Sequence, residues 1–82
     1  VSERVEAEIV RLVTERGAEK SICPSEVARA LDPEWRSLMT AVRRAAMRLA
    51  AAGRIDILRK GKPVALEDVR GVIRLRLRKD AP

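Results

Sequence analysis

A chain of 82 residues with 46% apolar side chains, one Trp and no Phe or Tyr is expected to form one small domain with an aliphatic core, without the aromatic platforms on which single-stranded nucleic acids stack. The absence of His and the single Cys exclude imidazole catalysis, an internal disulfide and a His or thiolate metal cage. The net charge of +6 is unevenly divided, with 5 Lys/Arg against 8 Asp/Glu up to Glu34 and 13 against 4 from Trp35 onward, a polarity that points to a polyanionic partner for the second part.

In chain order, Ser2 is a candidate N-cap with Glu3 and Glu6 in the first turn. Val5, Ile9, Leu12 and Val13 then form one apolar stripe, so the spacing predicts a helix from about Glu3 to Arg16, closed by Gly17. Its outer face is acidic and mixed. Ser21–Cys23 is predicted extended, because the residue before Pro24 is biased away from the helix. Pro24 suits the first position of a second helix of about eight residues, with Glu26 placed to close a capping box on Cys23 and with Val27, Ala28 and Leu31 as its buried side. Asp32-Pro33 ends that helix and caps the next.

The third and longest helix is predicted over 34–52, ending at Gly53. Trp35, Leu38, Met39, Val42, Ala45, Ala46 and Leu49 make its apolar stripe, and Arg36, Ser37, Thr40, Arg43, Arg44, Met47 and Arg48 fall on the other faces. After Gly53 the period changes to 2. Ile55 and Ile57 alternate with Asp56 and Leu58, and Ile73, Leu75 and Leu77 alternate with Arg74, Arg76 and Arg78. Two half-buried strands are expected there. Arg59-Lys60-Gly61-Lys62-Pro63 reads as a basic turn, and Leu66–Gly71 adds a helical turn before the returning strand. Residues 1–79 make the domain, and 80–82 a frayed tail.

This order of helix, short strand, short helix, long helix and basic hairpin resembles the winged helix-turn-helix fold, from about Val5 to Leu77. The expected class is therefore α+β, mainly α: three helices, a β-hairpin wing and a short strand before helix two. More narrowly, residues 22–77 are similar to a family of small bacterial proteins catalogued only as a domain of unknown function. The marks are Ile22-Cys23-Pro24-Ser25-Glu26-Val27-Ala28, Trp35, Leu49–Gly53, the 59–63 turn and Asp68-Val69-Arg70-Gly71. That resemblance implies a fold and no activity, so function rests on the site itself.

In a helix-turn-helix the N-terminal part of the second motif helix enters the major groove. The resemblance thus directs Arg36, Ser37, Thr40, Arg43 and Arg44 toward a duplex, with Arg48 further along for a backbone phosphate. Arg59, Lys60 and Lys62 around Gly61 form a wing loop suited to the phosphate backbone. The strand arginines are expected to serve the hairpin, one of them paired with Asp56. Cys23 is expected as a partly buried thiol, and Trp35 as a core anchor. The adjacent Glu67-Asp68 pair has no base, nucleophile or phosphate-cradling loop beside it, so no enzyme is expected.

No cofactor and no metal are implied, and no apolar run approaches the ~20 residues of a membrane span. The expected compartment is the cytoplasm. Two functions stand open: a double-stranded DNA-binding module acting as a small transcriptional regulator, and a protein-interaction module on the same scaffold. Homodimerisation is compatible with either.

Overall fold

The computed structural model describes residues 2–79; the cap expected at Ser2 and the tail expected over 80–82 fall outside the described side chains and residues. Three helices, α1 (Ser2–Arg16), α2 (Pro24–Leu31) and α3 (Met39–Ala51), are followed by three antiparallel strands, β1 (Ile55–Arg59), β2 (Lys62–Pro63) and β3 (Arg74–Leu77). The class is α+β, mainly α.

The apolar stripes of the helices meet in one core. Val5, Ile9 and Val13 of α1, Val27 and Ala28 of α2, and Val42, Ala45, Ala46 and Leu49 of α3 are all buried. Ile55, Ile57 and Leu75 close the core from the sheet. Each fully buried Ile or Leu side chain stabilises the fold by roughly 1.5–3 kcal/mol. No charged or polar side chain among the described residues is buried, so the charge pattern acts wholly at the surface.

The sheet has the order β2-β1-β3. Ile55 faces Leu77 and Ile57 faces Leu75 on the core side, while Asp56 faces Arg76 and Leu58 faces Arg74 on the other. The expected ion pair forms there, Arg76 Nη2 lying 3.2 Å from Asp56 Oδ2. The strand expected before α2 contracts to one bridging residue. Ile22 exchanges two 2.8 Å backbone hydrogen bonds with Leu75, and Pro24 then starts the helix. This places the segment before α2 on the outer edge of β3, an arrangement compatible with a winged helix.

Three expectations are corrected. Helix three does not run unbroken over 34–52: Trp35–Leu38 is a 3-10 segment and α3 begins at Met39. The Glu34 carbonyl is taken three residues on by both the N–H and the hydroxyl of Ser37, at 3.2 and 2.8 Å, which tightens the turn in place of an α-helical bond. Leu58 is only 5% exposed although it sits on the outward side of β1, opposite Arg74. The basic turn expected over 59–63 is shorter, since Lys62 and Pro63 form a third strand, β2, that pairs Lys62 with Arg59 and leaves Lys60-Gly61 as a two-residue connection.

Helix ends follow their expected chemistry. Glu26 Oε2 accepts the Cys23 N–H at 2.8 Å, and that hydrogen bond, with Arg16 beside it, holds the Glu26 carboxyl below its usual range. Past α3, Arg54 N–H returns to Leu49 O and Gly53 N–H to Ala50 O, both at 3.0 Å. Gly53 takes φ +77° to make this double closure, a conformation that costs Gly little.

Candidate nucleic-acid interface

The approach to α3 is fixed by local hydrogen bonds. Asp32 Oδ1 accepts the Glu34 N–H at 2.7 Å, and Ser37 Oγ donates to Glu34 O. The Ser37 proton is therefore committed to the turn, leaving its oxygen as an acceptor. Trp35 is half-buried against the core. Two guanidinium carbons stand over its ring, Arg36 at 4.4 Å and Arg29 at 4.5 Å from the centroid.

On α3, Thr40, Arg44, Met47 and Ala51 are exposed and form one row along the helix. The helix carries three Arg and no carboxylate. Arg43 and Arg48 flank this row and are both engaged: Arg43 Nη2 donates to Gly71 O at 3.2 Å, and Arg48 Nε meets Glu6 Oε2 of α1 at 2.6 Å. Arg44 makes no hydrogen bond or ion pair among the described residues. Of the five residues directed at a duplex, the fold thus sets Arg36, Thr40 and Arg44 outward, commits the Ser37 proton to the turn and gives Arg43 to the loop before β3.

The wing is built on a tight hairpin. Lys60 and Gly61 take φ +55° and +82°, the signature of a type I′ turn, whose twist matches the flanking strands. Lys60 and Lys62 project into solvent, Arg59 is half-buried, and none of the three makes an ion pair among the described residues. A groove runs between this turn and the segment before β3, lined by Leu58, Arg59, Lys60, Val72 and Arg74. Gly71 also lines it, so the Arg43–Gly71 hydrogen bond sets the flank of α3 beside the wing. Arg74 donates to Ser21 Oγ and O at 2.7 and 3.0 Å, tying β3 to the segment before α2 where service within the hairpin was expected.

Sequence reasoning missed two features. Arg29 lies on α2 with no spacing signal toward Trp35, since their approach depends on how α2 meets the 3-10 segment. Val72 is 86% exposed beside the wing groove, an apolar residue that strand alternation had left unassigned. Among the described residues no helix is long and apolar enough to cross a membrane, and no group of three or more His, Cys, Asp or Glu is placed to hold a metal ion.

Residues 2–78 match the profile of a family described as a protein of unknown function, DUF3253. No curated protein matches the chain.

Proposed function

We propose that this chain, which belongs to the DUF3253 family, is a double-stranded DNA-binding module. The observation that carries the reading is the outward row of α3, an unpaired Arg44 between Thr40 and Met47 on a helix without a carboxylate. Such a row suits the major groove. Arg44 offers two parallel N–H donors to guanine O6 and N7, and the Thr40 methyl and the Met47 thioether offer apolar contact to thymine methyl groups. Arg36 lies one turn earlier, over the end of the helix that enters first. Lys60 and Lys62 stand on a hairpin stiffened by its I′ turn and serve phosphates, which position the protein and carry no sequence information. A small transcriptional regulator is the role that fits this division of labour.

The test is a titration of a labelled random-sequence duplex across a series of salt concentrations. With Arg36, Arg44, Arg59, Lys60 and Lys62 displacing counterions, log K is expected to fall against log salt with a slope of about −4 to −5. No binding at the lowest salt would remove the DNA reading and leave the scaffold to a protein partner.

A further inference from the structure

We propose that the groove beside the wing takes a small apolar monocarboxylate, and that its binding weakens the hold of the wing on a duplex. The site itself stands on geometry alone, while its effect on the duplex rests on the DNA reading.

The groove encloses about 460 Å³, within the roughly 300–1,000 Å³ of small-molecule sites. Leu58 and the exposed Val72 supply its apolar surface, Arg59, Lys60 and Arg74 its charge, and none of the described carboxylates lines it. A second cavity, around Asp56 and Leu77, is different. Two of its cations are already paired, Arg76 with Asp56 and Lys79 with Glu19.

Arg74 is the anchor. Its Nε and Nη2 donate to Ser21 Oγ and O at 2.7 and 3.0 Å, and Ser21 lines the groove as well, so the guanidinium head stands at the groove wall. Both hydrogen bonds go to neutral oxygens through one edge of the guanidinium plane. The edge between the two terminal nitrogens keeps a parallel pair of N–H donors, the fork that a carboxylate accepts at both oxygens. Glu26 acts on Arg74 through space, but its own oxygens are taken by Arg16 and by the Cys23 N–H, at 2.7 and 2.8 Å. The Arg74 charge is thereby held in place without a carboxylate in contact.

Both walls of the groove are set before a ligand arrives. The Lys60-Gly61 turn fixes one, and the Arg43–Gly71 hydrogen bond fixes the loop on the other, which lowers the entropic cost of binding. A single ionised head suits Arg74, and an apolar body covers Leu58 and Val72. The bound anion lies in the same groove as Arg59 and Lys60, two of the cations that the DNA reading gives to phosphates, and it offsets their charge.

Octanoate is the probe, with octanol and octylammonium as neutral and cationic controls. In the full chain without DNA, octanoate is expected to shift the methyl NMR signals of Leu58 and Val72 saturably, with both controls roughly tenfold weaker or more. Arg74→Gln and Val72→Asp are each expected to weaken octanoate roughly tenfold, and Arg74→Lys less, since it keeps the charge and loses the fork. Val72→Asp lies at an exposed position and is read even where the Arg74→Gln chain fails to fold. Saturating octanoate is expected to weaken a labelled duplex a few-fold and to flatten the salt slope by about 1.

If octanol binds as well as octanoate, or if Val72→Asp leaves octanoate binding unaltered, the groove is no carboxylate site and the DNA reading is untouched. If octanoate binds as expected and no duplex binds at low salt, the site stands and the DNA reading falls. If both bind while octanoate leaves duplex affinity and slope unchanged, the site stands and its control of the wing is overturned.

Discussion

Helices α1 and α3 are both amphipathic and both carry three arginines, yet they use them in opposite ways. In α1 every arginine has a partner: Arg11 bridges Glu8 and Glu15 on its own helix, Arg16 reaches Glu26 at 2.7 Å, and Arg4 caps the end of α2. The Arg11 hydrogen bond holds the Glu8 carboxyl below its usual range. In α3 there is no carboxylate to pair with. Arg43 and Arg48 are held by distant elements, and Arg44 is left facing solvent. Net charge treats the two sets alike. The distinction that bears on function is between a cation that the fold uses and one that it leaves open.

Reversing one charge on each helix tests that distinction. Arg44→Glu is expected to weaken duplex binding by about 2–3 kcal/mol, roughly 30- to 150-fold, with the thermal unfolding temperature unchanged. Arg11→Glu is expected to lower that temperature slightly, because two helical ion pairs become repulsions, and to leave duplex affinity within about twofold. Equal losses of affinity from the two reversals would mean that only net charge matters, and the contrast between the helices would collapse.

The same contrast explains what was legible in the sequence. Partners three or four residues apart, such as Arg11 with Glu8 and Glu15, follow from helical period alone. So do the three apolar stripes, the capping box at Glu26 and the closure at Gly53, and these were enough to assign the class and the order of elements. The partners of α3 come from 42 residues away at Glu6 and 28 away at Gly71, and no local pattern reports such meetings. For that reason Arg43 and Arg48 read as open cations from the sequence, and Arg29 read as nothing. The break at Trp35–Leu38 was hidden for a different reason. An apolar stripe continues through a short 3-10 turn almost unchanged, and only the Ser37 hydroxyl, competing for the Glu34 carbonyl, marks the shift.

Arg48 lies on the border between the two uses, and Glu6 decides on which side it falls. The pair is largely exposed, with side-chain accessibilities of 47% and 33%, so breaking it costs less than about 1 kcal/mol of stability. Glu6→Gln is expected to release Arg48 for a phosphate, raise duplex affinity about two- to fivefold and steepen the salt slope by up to about 1. Unchanged affinity with a lowered unfolding temperature would assign Arg48 wholly to the α1–α3 contact.

The finest separation is available at Lys60, where fold and function make opposite demands on one residue. The turn needs φ > 0 at both central positions, and Lys60 meets that need at φ +55° with a side chain that pays a steric penalty there. Asn tolerates this region and is the residue that I′ hairpins prefer before Gly. Lys60→Asn is therefore expected to raise stability by about 0.5 kcal/mol, seen as a small increase in unfolding temperature. The same change removes one of the unpaired cations of the wing, so duplex binding is expected to weaken a few-fold, uniformly across sequences, with the salt slope flattened by about 1. A more stable hairpin that binds less well would mean that Lys60 is kept in a strained position for its charge. If stability rises and affinity holds, the wing does not touch the backbone, and the duplex contact contracts to α3 and the turn that leads into it.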